Sequence, residues 1–134
     1  MCLEKDIDCS FVVAIYNREA TLDRCLESLV YQRTTRTFEI ILVDDQSTDK
    51  SFDVAKSWRD RFPQLVRVYR TDKKGVAHAK NLGVIKSLGK FVTFVDSDDY
   101  VDFRYLQIML AADVEMAADM IVSPIWFIHD GVKV

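Results

Sequence analysis

Proline occurs twice and glycine four times in 134 residues, and neither gathers into a low-complexity or repeated segment. The length leaves room for one domain with a real core and not for two. Long apolar runs are missing as well. Nothing approaches the roughly 20 residues of a membrane span, and the longest late stretch, Ile125-Trp126-Phe127-Ile128, has the size of a strand. There is no basic excess either: the formal net charge is -3, which argues against a nucleic-acid partner, because such proteins carry a basic face. Met1-Cys2-Leu3-Glu4-Lys5-Asp6 has acids where a secretory signal has a basic flank and an apolar core. Three cysteines, Cys2, Cys9 and Cys25, are an odd number without metal-ligand spacing. Cys9 and Cys25 fall at apolar-patterned positions, so they read as packed thiols in a reducing compartment.

Short β-rich runs alternate with helical periodicity along the chain. Phe11-Val12-Val13-Ala14-Ile15 and Ile40-Ile41-Leu42-Val43 lack the polar alternation of half-exposed strands, so both are expected to be buried on two faces. Phe91-Val92-Thr93-Phe94-Val95 reads the same way. Leu65-Val66-Arg67-Val68-Tyr69 is a strand of mixed polarity in a less covered place. Between them, Leu22, Cys25, Leu26, Leu29 and Val30 recur at helical spacing and form one apolar face. A second helix carries Ala55, Trp58 and Phe62 inward, with caps offered by Ser47, Thr48 and Asp49 and a stop at Pro63. A third opens at Gly75, runs through Ala79, Leu82 and Ile85, and stops at Gly89. The fourth follows Asp102 and turns Phe103, Leu106, Met109 and Leu110 inward. Met120-Ile121-Val122 and Ile125-Trp126-Phe127-Ile128 are expected as later strands, with Pro124 marking a break or an edge. Four strand–helix units of this kind imply an α/β fold, a mostly parallel sheet with helices on both faces.

In such a sheet, ligands bind beyond the carboxyl ends of the strands. The residues found there are Tyr16-Asn17-Arg18-Glu19, Asp44-Asp45-Gln46-Ser47, Thr71-Asp72-Lys73-Lys74-Gly75 and Asp96-Ser97-Asp98-Asp99. Five aspartates from two of these loops are thus directed to one rim. Two bare carboxylates about 5 Å apart repel by roughly 3 kcal/mol at an effective dielectric near 20. A hard divalent cation offsets this, and all-oxygen ligands favour Mg²⁺ or Mn²⁺. Asp96 and Asp98, two apart in an extended turn, project to the same side and suit a shared ion. Aspartate is also a common cap and turn residue, which is the plainer account of Asp44-Asp45. Lys73, Lys74, His78 and Lys80 surround the start of the third helix, where an anion such as a diphosphate is received; a solvated basic turn is the plainer account. His78 has no local partner and reads as a surface or packing residue and not a catalytic one. Tyr16 at a strand end could stack on a base or wedge the core.

Five stretches, in order, resemble the family-2 glycosyltransferases with the GT-A nucleotide-sugar fold. They are Val13-Ala14-Ile15-Tyr16-Asn17, Cys25-Leu26-Glu27-Ser28-Leu29 with Gln32, Glu39 through Asp49, Gly75 through Gly83, and Phe94-Val95-Asp96-Ser97-Asp98-Asp99. The resemblance implies a Rossmann-like nucleotide-diphospho-sugar domain, C-terminally truncated, with residues 1–134 as its one nucleotide-sugar-binding domain. It implies a donor site containing Tyr16, Asn17, Glu19, Asp44, Asp45, Lys80 and Asp96, with Tyr16 and Glu19 beside the base and Asp45 on its edge. Lys80 approaches the diphosphate, and Asp98 with Asp96 holds Mn²⁺ or Mg²⁺ as a Lewis acid for the leaving group. Three positions depart from the pattern: Ala14 stands for a frequent Pro, Gln46 for a frequent Gly, and Lys80 for the usual Arg, whose bidentate fork is lost.

The reaction this implies is sugar transfer, with inversion, from a nucleotide-diphospho-sugar (UDP-linked, by resemblance) to a hydroxyl of a glycan or lipid-linked acceptor. The base is expected beyond residue 134, because Asp113, Glu115 and Asp119 read as helix surface and strand entry and Asp130 as a turn. The expected place is the cytoplasm or the membrane periphery. Two rival enzyme and signalling readings fit less well. A phosphoacceptor receiver needs its acid pair after the first strand, where this chain has Tyr16-Asn17. A sugar-phosphate nucleotidyltransferase needs a Gly-rich, Arg-bearing loop there. A non-catalytic binding module derived from a transferase stays open on the residues alone.

Overall fold

Continuous β-branched runs form the centre of a parallel sheet because both of their faces can be buried. In the computed structural model, which describes residues 6–117, 119–122, 128–129 and 132–133, these runs are β1 (Ile7–Ile15) and β2 (Phe38–Asp44). The remaining elements are α1 (Leu22–Val30), α2 (Ser51–Arg61), β3 (Val66–Arg70), α3 (Val76–Lys86), β4 (Gly89–Phe94), α4 (Tyr105–Met116), β5 (Ile128–His129) and β6 (Val132–Lys133). The order of the main sheet is β3-β2-β1-β4, and all its pairings are parallel. The short β5 and β6 pair antiparallel with each other. No helix among the described residues is long and apolar enough to cross a membrane.

Successive side chains of a strand face opposite ways, and the core divides accordingly. Phe11, Val13, Ile15, Ile40 and Leu42 share one cluster with Leu22, Cys25, Leu26 and Leu29 of α1, Ala55 and Trp58 of α2, and Leu106 and Leu110 of α4. Val12, Ile41 and Val43 point the other way and meet Ala79 of α3. That second face depends on close approach. A Cβ added at Gly83 would stand 2.3 Å from Val12 Cγ1, so α3 can lie this near the sheet only with glycine there. Cys9 and Cys25 are buried thiols. Burial, with nearby carboxylates adding to it, pushes both up to about 12, which leaves them unreactive.

Several expectations are corrected here. β4 is not buried on both faces: it alternates half-buried and exposed residues, with Phe94 47% exposed, because it pairs with β1 alone among the described residues. β3, expected to be less covered, is the opposite edge. Gly89 does not stop α3; the helix ends at Lys86 and Gly89 opens β4. Ile85 faces solvent. α2 begins after Lys50, later than its expected caps, and α4 begins at Tyr105, leaving Phe103 exposed ahead of it. Met120-Ile121-Val122 forms no strand, and Met120 and Val122 are exposed. Pro124 and residues 125–127 lie outside the described residues, while Ile128 belongs to β5.

The N-terminal end of the sheet is pinned by Glu39. Its nearly buried carboxylate accepts hydrogen bonds from Ser10 Oγ at 2.6 Å, Leu88 N at 2.7 Å and Arg67 at 2.6 Å. A buried charge is tolerated only with such full satisfaction. This clamp leaves the opposite end of the sheet for chemistry.

Candidate functional site

Strand register builds the rim. Ile15 lies beside Asp44 and Asp44 beside Arg70. Phe94, the last residue of β4, pairs with Val12, so β4 stops short of its neighbour and the chain turns off there. β2 and β4 flank β1, roughly 10 Å apart across two strand spacings. Asp44-Asp45 and Asp96-Ser97-Asp98-Asp99 therefore leave the same edge of the sheet, as expected.

The loop after β2 keeps its acids to itself. Asp44 is fully buried. Its Oδ2 lies 3.1 Å from Arg70 Nε and accepts from Ser47 N at 3.2 Å. Asp45 accepts from Gly75 N at 2.9 Å and from Thr71 Oγ1 at 3.3 Å, which ties the start of α3 to the end of β2. Gln46 adopts φ 59°, the left-handed region that favours glycine. Its side-chain amide donates to Thr71 O at 3.3 Å, a contact glycine could not make.

The loop after β1 is joined to this one. Asn17, also left-handed at φ 48°, accepts from Thr48 N at 2.8 Å and from Asp49 N at 3.3 Å. Glu19 Oε2 accepts from Lys50 N at 3.0 Å, and Asp49 Oδ1 from Ser51 N at 2.9 Å. Asn17 and Glu19 thus meet the N–H groups of Thr48, Asp49 and Lys50 ahead of α2, and Asp49 meets that of Ser51, the first residue of the helix. Tyr16 holds its ring 46% exposed at the end of β1.

The loop after β4 is arranged the other way. Its backbone carbonyls are engaged by α1 and the residue before it: Thr21 Oγ1 donates to Ser97 O at 3.1 Å, Arg24 to Asp98 O at 3.1 Å, and Cys25 Sγ to Asp96 O at 3.6 Å. Asp99 N closes a turn onto Asp96 O at 2.9 Å. The turn brings a third acid beside Asp96 and Asp98. One carboxylate oxygen from each of Asp96, Asp98 and Asp99 lies within 4.8 Å of the others, all three residues being exposed. Partial burial, then the charges of Asp98 and Asp96, raise the Asp99 pKa above its usual value, with Arg24 acting against them. Two cations stand against the group: Lys80 Nζ is 3.8 Å from Asp96 Oδ1 and Arg18 Nε is 3.8 Å from Asp98 Oδ2. A cluster of hard oxygen donors, its repulsion only partly relieved by these cations, is the donor set that Mg²⁺ or Mn²⁺ prefers.

Asp96, Asp98 and Lys80, all named from the sequence, lie together at the rim. The sequence pattern did not point to Asp99 in the same cluster, to Arg18 as a contact of Asp98, or to Arg70 as the partner of Asp44. The position of Arg70 at the end of β3 was the available signal for the last. Lys73, Lys74 and His78 are exposed on the loop before α3 and in its first turn. Asp113 and Glu115 fall within α4, Asp119 is exposed in a bend, and Asp130 lies outside the described residues.

Comparison with known proteins gives this rim a context. The profile of glycosyl transferase family 2 matches residues 10–133. The glycosyltransferase GlyA of Streptococcus pneumoniae is 34% identical over 112 residues, covering 84% of this chain and 16% of its own length. A poly(ribitol-phosphate) beta-glucosyltransferase of Bacillus spizizenii is 39% identical over 94 residues, covering 69% of this chain and 15% of that protein. Among solved structures, S. aureus TarS 1-349 in complex with UDP-GlcNAc superimposes with a TM-score of 0.76 at 32% identity, covering 84% of this chain and 33% of that one. The mannosyltransferase PcManGT from Pyrobaculum calidifontis, solved with GDP-Man and Mn2+, shares the fold at a TM-score of 0.71 and 24% identity, covering 87% of this chain and 34% of that one. The chain therefore spans a minor part of the proteins it matches. With the acid turn at the strand rim and a profile match over nearly its whole length, the chain belongs to glycosyl transferase family 2.

Proposed function

We propose that this chain is the donor-binding part of an inverting, metal-assisted glycosyltransferase that moves a sugar from a UDP-linked donor to an acceptor hydroxyl. The observation that carries the reading is the exposed Asp96-Asp98-Asp99 cluster, beside Lys80 at the strand end where ligands of such sheets bind. The similarity to the UDP-GlcNAc complex of TarS supports a uridine donor. In this reading Asp98 and Asp96, joined by Asp99, hold Mn²⁺ or Mg²⁺. When bound, that ion supplies Lewis-acid stabilisation of the departing nucleoside diphosphate. Lys80 adds a point charge to the diphosphate. Tyr16 offers an exposed ring for stacking on the base, and Asp45 offers its edge the acceptor capacity left by Gly75 and Thr71. Asn17, Glu19 and Asp44 contribute by holding the two loops in place.

The acceptor is a glycan or lipid-linked hydroxyl in the cytoplasm or at the membrane periphery, and the base that deprotonates it lies beyond residue 134. Calorimetry with UDP, GDP and CDP, each with and without Mn²⁺, tests the donor reading. UDP with Mn²⁺ is expected to bind best, and Asp98→Ala to weaken it about a hundredfold, the loss of a metal ligand. Equal binding without metal would remove the assignment of the acid cluster. Sugar transfer by residues 1–134 alone, abolished by Asp98→Ala, would place the base inside this chain.

A further inference from the structure

Arg18 stands on a rigid turn with a loosely held side chain. Its main chain is fixed, with Arg18 N donating to Ser51 Oγ at 2.7 Å and Arg18 O accepting from Thr21 N and Leu22 N at 3.1 and 2.9 Å. Among the described residues the guanidinium makes one hydrogen bond, a long one of 3.3 Å from Nη1 to Asn17 O. Toward Asp98 it makes an ion pair at 3.8 Å, too long for a hydrogen bond. Most of its five donors are thus unspent, and both partners are about half exposed, at 47% and 51%. Arg24, the other arginine near the acid turn, is committed: it donates to Asp98 O at 3.1 Å and lies 4.7 Å over the Tyr100 ring.

Charge balance says what the unspent donors are for. Three carboxylates faced by Arg18, Lys80 and Arg24 leave the rim without net charge. A divalent cation on Asp98 would make the rim positive and displace Arg18 from its partner, because metal and guanidinium compete for the same carboxylate. The displaced guanidinium has the planar fork that matches phosphate oxygens, and its turn keeps it at the rim.

We propose that Arg18 is a positioning residue that exchanges its guanidinium between Asp98 and the donor diphosphate, opposing metal binding before the nucleotide arrives and holding the diphosphate afterwards. This rests on the donor-site reading above. The two halves have opposite signs, which an ordinary surface ion pair would not produce.

The test measures Mn²⁺ binding alone, by the loss of the free-ion electron paramagnetic resonance signal, and UDP binding at saturating Mn²⁺, by calorimetry. Both are run on the intact protein and on Arg18→Ala and Arg18→Lys, with circular dichroism confirming the fold. Arg18→Ala is expected to tighten Mn²⁺ about two- to fivefold, the size of an exposed ion pair. It is expected to weaken UDP about tenfold, the size of a charge-assisted hydrogen bond. Arg18→Lys keeps the charge and loses the fork, so Mn²⁺ binding should match the parent while UDP binding stays weakened. Unchanged constants in Arg18→Ala, a shift of both in the same direction, or full UDP affinity in Arg18→Lys would each overturn the exchange. A parent protein that binds neither Mn²⁺ nor UDP would overturn the donor-site reading, and the exchange with it.

Discussion

The loops after β2 and β4 leave one edge of one sheet, and both carry neighbouring aspartates, yet the two sets of carboxylates are held in opposite ways. Asp44 and Asp45 are buried and answered by Arg70, Ser47, Gly75 and Thr71, with Asp44 Oδ1 alone left without a hydrogen bond among the described residues. Asp96, Asp98 and Asp99 are exposed, mutually close, and faced by Arg18 and Lys80 at 3.8 Å, with Arg24 nearby. The first set uses negative charge to fasten loops. The second keeps its charge unspent, since its backbone oxygens, and not its carboxylates, are bound to α1 and Thr21. Residue type and position along a strand are therefore not enough to mark a metal site; what separates the two is where the protein's own donors have gone.

The largest effect expected from this contrast is metal-linked stability. Mn²⁺ at a hundred times its Kd should raise the unfolding free energy of the parent by about 2.7 kcal/mol, by mass action. Asp98→Ala should lose that gain, whereas Asp44→Ala should keep it. Thermal unfolding with and without Mn²⁺ reads all three. Retention of the gain in Asp98→Ala would place the ion elsewhere.

Without metal the order of the two variants should reverse. Asp44→Ala removes a buried partner, leaving Ser47 N unanswered and Arg70 with only Ser47 O and the Phe52 ring among the described residues. Breaking a buried pair costs about 3–5 kcal/mol, but Arg70 is 44% exposed and can hydrate, so about 2 kcal/mol is expected. Asp98→Ala should stay within about 0.5 kcal/mol of the parent, since it removes repulsion along with a weak surface pair. Urea unfolding of the metal-free proteins measures both. Equal losses would erase the distinction between the loops.

Sequence patterns carried the rim further than they carried its wiring. β1 and β2 were legible because strands covered on both faces have no polar alternation, and the parallel sheet followed from the helices between them. β4 shows the same apolar run, but a run does not say how many neighbours a strand has, and Phe94 ends 47% exposed. Arg70 and Asp44 meet only through the β2–β3 register, which no local pattern encodes. Asn17 and Glu19 fasten the segment that leads into α2, 31 residues away in sequence. Asp99 joins the acid cluster because the turn closes tightly, Asp99 N onto Asp96 O, which the spacing of Asp96 and Asp98 does not encode.

α3 links the two loops, with Asp45 at its start and Lys80 facing Asp96. Gly83→Ala would push it off the sheet, since the new Cβ meets Val12 Cγ1 at 2.3 Å and Val12 is buried and branched. Overpacking of this kind costs roughly 1–3 kcal/mol, and the better helix propensity of alanine returns about 1 kcal/mol. A net loss of about 1 kcal/mol is expected, together with weaker Mn²⁺-dependent UDP binding as Lys80 moves. Full stability with full binding would show that the approach of α3 is not what places Lys80.

The smallest effect concerns Asp49, whose carboxylate serves the fastened loop. Slight burial works to raise its pKa, but hydrogen bonds from the side chain and backbone of Ser51 and the backbone of Glu19 outweigh it and bring the pKa below its usual value. A lowered pKa means that the unfolded chain binds this proton more readily than the folded one. The contribution is then complete above the ordinary carboxylate range and fades as pH falls through the folded value. Asp49→Ala should accordingly cost at most about 1 kcal/mol at neutral pH, the size of a helix cap, and progressively less in acid. Unfolding curves of parent and variant should converge below the carboxylate range. A constant difference at all pH values would mean that Asp49 acts through its shape and not through its charge.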